Sequence, residues 1–255
     1  MDLELNGRVV LITGGSDGLG FGLAQRLVSE GALVAVCGRD ADRLQRAQEL
    51  LGSDALCFQA DVTKGEEIDA FIEEAIARFG QLDGVVNNAG QSAGNSIAES
   101  DDEMWRRDYE LKVIAALHVS RRALSALEGS KGALINVLAI MARSPGANST
   151  PTTASRAAGL ALTKAMANEV GPLGVRVNAI LIGLIESGQW VRRADSANVS
   201  LDEFYVNMAK NSKIPLGRVG RAEEFADLAT FLLSSRASYI TGVGISIDGG
   251  LSPVI

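Results

Sequence analysis

The chain has 255 residues, 47% of them hydrophobic, and a formal net charge of −7. That length accommodates one large α/β domain or two small ones, and the acidic balance excludes a reader of nucleic-acid phosphates, which needs a basic face. No apolar run approaches the roughly 20 residues of a membrane span. The acidic start Met1-Asp2-Leu3-Glu4 does not read as a signal peptide, and Cys37 and Cys57 lie in or beside apolar runs without metal-ligand spacing. The expectation is a cytoplasmic protein with buried free thiols, no metal, no membrane and no nucleic acid.

An apolar run from Val9 to Ile12 reads as a buried strand. It breaks at Thr13-Gly14-Gly15-Ser16-Asp17-Gly18-Leu19-Gly20 into a helical pattern with Leu23, Ala24, Leu27 and Val28 on one face. Strand, glycine turn and helix suit a dinucleotide pyrophosphate. Glycines admit the phosphates close to the backbone, and the helix start offers free N–H groups and a positive dipole end. A bare βα turn without ligand has the same look. Further apolar runs at 33–37, 56–60, 84–87, 133–138, 175–180 and 244–247 alternate with helical stretches. Most are rich in Val, Ile and Leu, as a sheet covered on both faces requires. The helix over 221–234 carries Phe225, Leu228, Ala229, Leu232 and Leu233 as one stripe. Seven strands with helical crossovers predict one Rossmann-like, doubly wound parallel domain over 1–255. The segment 182–215 breaks the alternation, with Gly183, Gly188 and a polar run, and reads as a loop with short helices covering a site.

With Asp61-Val62, Asn87-Asn88-Ala89-Gly90, Val175-Arg176-Val177-Asn178-Ala179-Ile180 and Asp248-Gly249-Gly250 added to the glycine turn, nearly the whole chain resembles the short-chain dehydrogenase/reductases. The likeness is nearest to 3-oxoacyl-acyl-carrier-protein reductases. The resemblance implies that Gly14, Ser16, Asp17, Gly18, Leu19 and Gly20 hold a nicotinamide dinucleotide. It implies that Asp61 and Val62 lie at the adenine and that Asn88, Ala89 and Gly90 close the cleft. It also implies a small-molecule substrate and a homodimer or homotetramer formed through the helices holding Lys112 and Arg156. A NAD enzyme usually carries a carboxylate at the end of the second strand. Here Cys37-Gly38-Arg39 stands there, and Arg39 offers a fork for a 2′-phosphate. NADP is therefore expected over NAD, with Asp17 and Asp40 counting against it.

The family reduces carbonyls with an Asn, a Ser, a Tyr and a Lys. Aligned on this chain, Lys112 falls at the Asn, Ala139 at the Ser, Thr152 at the Tyr and Arg156 at the Lys, and Ile182-Gly183 replaces a Pro-Gly pair. A phenol near pKa 10 can be tuned into an acid. The aliphatic hydroxyl of Thr152 is far weaker, Arg156 does not release its proton, and Ala139 offers no hydrogen bond. None of Tyr109, Tyr205 and Tyr239 has a Lys four residues on. Lys112 and Arg156 are expected to lie close together, each cation disfavouring the other's charge. Lys112 then serves as general acid or amine nucleophile, and Arg156 stabilises an oxyanion or an acidic substrate. Alternatively Lys112 pairs with a carboxylate such as Asp108, and Arg156 holds the cofactor ribose. His118, the only histidine, is read as packing between helices. Three functions stay open: an NADP-dependent oxidoreductase on a carbonyl, enone or imine; a lyase or isomerase using Lys112; and a catalytically silent nucleotide binder.

Overall fold

A computed structural model describes residues 1–255. Seven strands form one parallel sheet: β1 (Val9–Thr13), β2 (Leu33–Gly38), β3 (Leu56–Gln59), β4 (Gly84–Asn87), β6 (Ala133–Ala139), β8 (Arg176–Ile182) and β9 (Gly244–Ile247), in the order β3-β2-β1-β4-β6-β8-β9. A two-residue antiparallel pair, β5 (Gly94–Asn95) with β7 (Thr150–Pro151), stands apart from it. The helices are α1 (Gly18–Ser29), α2 (Ala41–Leu51), α3 (Gly65–Phe79), α4 (Asp102–Tyr109), α5 (Ala115–Ser130), α6 (Thr152–Val170), α7 (Gly188–Ala197), α8 (Leu201–Asn211) and α9 (Ala222–Leu233). The fold is the expected Rossmann-like α/β domain. The predicted strands are all present, and no end is moved by more than two residues. No helix is long and apolar enough to cross a membrane.

Alternate residues of each strand are sorted to opposite faces, and both faces are apolar. Val10, Ile12, Val34 and Val36 pack with Leu23 and Leu27 of α1 and Phe225 and Leu232 of α9. Val9, Leu11, Ala35 and Cys37 pack with Ile68 and Phe71 of α3 and Val119 and Leu127 of α5. Burying one such side chain contributes about 1.5–3 kcal/mol, so the two cores lock the helices to the sheet from both sides. Burial also pushes the Cys37 thiol up to about 12, which keeps it protonated. His118 lies between helices, its Nε2 3.1 Å from Asp69 of α3.

The strand order reverses between β1 and β4, and there the carboxyl ends of neighbouring strands part into a crevice. Its two walls are held by side chains. The Thr13 hydroxyl accepts from the N–H groups of Asn88 (3.0 Å) and Ala89 (3.1 Å). The Asn88 amide donates to the carbonyls of Thr13 and Gly14, both at 3.0 Å. Gly20 is needed for this approach, because a Cβ there would fall 2.3 Å from the Gly14 oxygen. Thr13→Val keeps the shape of the side chain and strands two N–H groups. It should lower stability by about 2–6 kcal/mol, at about 1–3 for each unsatisfied donor, measured by urea unfolding.

Candidate active site

At the crevice mouth Gly14 (φ 66°) and Gly18 (φ 56°) take left-handed backbone that favours glycine. A Cβ on Gly14 would meet Ala89 Cα at 3.0 Å. Asp17 caps α1, its carboxylate accepting from the Gly18 N–H at 2.7 Å, and Leu19 and Gly20 follow inside the first turn. The Ser16 hydroxyl lies across the end of β2, 2.7 Å from where a Cβ on Gly38 would be. Beyond it stand two arginines. Arg39 is exposed, with only Asp61 as a loose partner at 3.9 Å. Arg43 lies one helical turn on and reaches Asp17 (3.2 Å) and Asp40 (3.4 Å). Sequence reasoning missed Arg43, because only the fold sets it beside the glycine turn.

Asp61 is fixed by Thr63, whose N–H (3.0 Å) and hydroxyl (2.8 Å) both donate to it. Burial opposes its charge, but these donors and the nearby Arg39 and Lys64 prevail and hold it below the usual carboxylate range. Val62 is buried beside it. Gly90 presents its Cα to Arg156, and a Cβ there would meet Nη2 at 2.9 Å. An open, glycine-lined cradle at a helix start, with cations at the far end of β2, fits a phosphorylated dinucleotide.

The second half of the site is built from α6 and a distorted stretch of helix. Between α4 and α5, residues Glu110–Ile114 form a π turn, in which the Ala115 N–H bonds to Glu110. Such a turn re-aims side chains and often marks a working site. Here Lys112 points inward, with its side chain fully enclosed. Its ammonium bonds Asp108 and donates to the Thr152 hydroxyl at 2.9 Å. The other oxygen of Asp108 accepts from Ser155 at 2.5 Å. Thr152 opens α6, and its hydroxyl also accepts from the Ala93 N–H at 2.9 Å. Asp108, Lys112, Thr152 and Ser155 thus form one buried, hydrogen-bonded group. Ser155 had no signal in the sequence beyond its place in the helix.

Burial first, then the charge of Arg156, pulls the Lys112 ammonium from 10.5 to about 8, against the pull of Asp108. Arg156 is lowered to about 10 by burial and stays charged at neutral pH. Its Nη1 donates to the Val137 carbonyl at 2.6 Å, while its Nε is buried with no partner. Lys112 and Arg156 line one cleft with Asn87, Asn136, Leu111 and Leu138. Ala139, at the end of β6, brings no polar group to it. The segment 182–215, expected to cover the site, contributes α7 and α8. Trp190 is anchored through Nε1 to the Ile185 carbonyl at 2.9 Å, and Arg193 lies over its ring. No cluster of three or more His, Cys, Asp or Glu side chains with metal-binding geometry is present.

The family described as enoyl-(acyl carrier protein) reductase matches residues 14–252. The chain is 33% identical over 262 residues to 2-(S)-hydroxypropyl-CoM dehydrogenase 3 of Xanthobacter autotrophicus, covering 100% of both. Among solved structures it is similar to a short chain oxidoreductase from Pseudomonas aeruginosa PAO1 described as containing an atypical catalytic center and bound to NADPH. The identity is 38%, the TM-score 0.91, and the coverage 97% of this chain and 98% of that one. It is likewise similar to L-sorbose reductase of Gluconobacter frateurii, complexed with NADPH and L-sorbose. There the identity is 31%, the TM-score 0.95, and both chains are covered in full. With the crevice, the glycine turn and the matched span in agreement, the chain belongs to the short-chain dehydrogenase/reductase family.

Proposed function

We propose that the protein is an NADP-dependent oxidoreductase reducing a small carbonyl, enone or imine through a non-standard site. In that site Lys112 supplies the proton, Thr152 passes it on and Arg156 stabilises the developing oxyanion. NADPH, when bound, supplies the hydride. The residues that would hold it are Gly14, Ser16, Gly18, Leu19 and Gly20 at the glycine turn, with Asp17 as the helix cap. Arg39 serves the 2′-phosphate, Asp61 and Val62 the adenine, and Asn88, Ala89 and Gly90 the far wall. The NADPH complexes of two relatives support this cofactor. The Pseudomonas relative, described as containing an atypical catalytic center, supports the reading of a non-standard site on this fold.

The observation that carries the mechanism is the double acceptance at Thr152. Its hydroxyl oxygen takes one hydrogen bond from Ala93 and one from Lys112, and its own proton is left to donate. Alone, an aliphatic hydroxyl is too weak an acid. In a relay it gives its proton to the substrate oxygen or nitrogen while receiving one from Lys112, so no alkoxide forms and Lys112 is the net acid. A lysine near 8 is charged at neutral pH and releases its proton far more readily than one at 10.5. Asp108 and Ser155 hold its orientation. Arg156 keeps its own proton and supplies positive charge where negative charge develops. The full enclosure of the Lys112 amine disfavours its attack on a substrate carbon. Small and apolar residues on the outer faces of α5 and α6, among them exposed Leu117, Ala157 and Ala161, suit close pairing of two copies.

Lys112→Met should leave NADPH binding in place and abolish reduction across a carbonyl and enone panel. In the unaltered protein kcat/KM for reduction should fall as pH rises through about 8, because the protonated form is the active one. Thr152→Val should lose most turnover with the same nucleotide affinity. NADPH binding without turnover anywhere on the panel would overturn the catalytic reading. Arg39→Ala should weaken NADPH about tenfold or more and leave NADH nearly unchanged, because about 1.4 kcal/mol of phosphate pairing is a factor of ten; fluorescence titration of the reduced nucleotides checks it.

A further inference from the structure

Asp17 places a carboxylate at the helix end that the proposed function gives to a phosphorylated nucleotide. The same carboxylate joins three separate elements. It caps α1, reaches Arg43 of α2 at 3.2 Å, and faces Arg192 of α7 at 3.7 Å. It is seated tightly against the covering segment: a Cβ on Gly188, the first residue of α7, would fall 2.4 Å from Asp17 Oδ2. On the other side, Arg43 stands one turn beyond Arg39, past the end of β2, where the 2′-phosphate of NADP would be recognised. Arg39 is free to turn to such a phosphate; Arg43 is not, because Asp17 holds its Nη1 at 3.2 Å while Asp40 holds its Nε at 3.4 Å.

We propose that Asp17 is a resident competitor for the 2′-phosphate and so a determinant of cofactor selectivity. Its carboxylate occupies Arg43 in the nucleotide-free protein and yields it when a nucleotide carrying that phosphate binds. This rests on the NADP reading above. The exchange replaces one anion by another on the same guanidinium, and a phosphate dianion outbids a carboxylate for a bidentate partner. Arg192 gives the displaced carboxylate a cation to remain with, so it is not left unpaired. A nucleotide with a 2′-hydroxyl makes no demand on Arg43 and leaves the pair intact. Asp17 therefore lowers affinity for NADPH and not for NADH.

Dissociation constants of NADPH and NADH, measured by titrating the reduced nucleotides' fluorescence at low salt, test this. The proteins to compare are the unaltered chain, Asp17→Asn, Asp17→Ser, Arg43→Met and the double variant Asp17→Asn with Arg43→Met. Asn and Ser both keep the helix cap, and thermal unfolding checks that each variant is folded. Either Asp17 variant should tighten NADPH about three- to tenfold with NADH changed less than about twofold. The gain should vanish in the double variant and shrink in about 0.5 M salt, as an interaction between partly exposed charges must. Unchanged NADPH affinity, equal tightening of both nucleotides, or a gain that survives the loss of Arg43 would each overturn the inference while leaving the NADP reading standing. An unaltered protein that binds neither nucleotide removes the NADP reading itself, and this inference with it.

Discussion

The crevice between β1 and β4 depends on four hydrogen bonds made by two side chains. Thr13 and Asn88 lace together the ends of strands that would otherwise diverge, and they do it with backbone groups on both sides. The arrangement spends the polar groups at the strand ends on one another. The glycines of the Gly14–Gly20 turn add no side chain that would keep a ligand from its backbone. Gly20 permits the helix to start directly against the Gly14 carbonyl, and Gly14 permits the turn to lie against Ala89. Whatever occupies the site is therefore positioned by backbone held rigid from below.

The other half of the site is governed by buried charge. An enclosed ammonium is costly unless it is paired and its remaining protons are bonded. Lys112 is paired with Asp108 one turn earlier and places a second proton on Thr152 across the site. Asp108 in turn is completed by Ser155. The π turn is what brings Lys112 inward onto this group. The balance is set finely: burial and Arg156 push the ammonium down, Asp108 pushes it up, and it comes to rest at about 8. An ordinary surface lysine is a much weaker acid, and without Asp108 burial and Arg156 would press this one lower still.

The fold was legible because its determinants are local. Buried parallel strands read as Val, Ile and Leu runs, and the helices between them as stripes at 3.6-residue spacing. The pairing of Lys112 with Asp108 was also within reach, since four residues separate them on one helix. The remaining features depend on contacts across the fold. Ser155 became part of the site only through a bond spanning 47 positions, and Ala93 through one spanning 59. The π turn has no composition of its own. Arg43 carries no mark of its own in the sequence; the fold brings Asp17 to it. Asp17 itself counted in the sequence only as a charge against NADP; its link to α7 depends on where the covering segment comes to rest.

Two arginines with part of the side chain out of solvent show how structure separates support from chemistry. Arg176 lies under the end of α9 and donates to the carbonyls of Leu232 (2.8 Å), Leu233 (3.4 Å) and Ser234 (3.0 Å). Those are the acceptors a helix leaves unpaired at its C-terminus, where a cation also meets the negative end of the dipole. Three of its N–H groups are occupied, and its work is to fasten α9 to the sheet. Arg156 donates to one carbonyl, leaves Nε unpartnered, and turns Nη2 toward Gly90, where glycine leaves room for it. It also depresses the lysine beside it, and Asp108 offsets only part of what burial costs the two cations. A guanidinium kept charged, short of acceptors and next to a lysine is poorly placed to stabilise the fold and well placed to receive negative charge from a bound molecule.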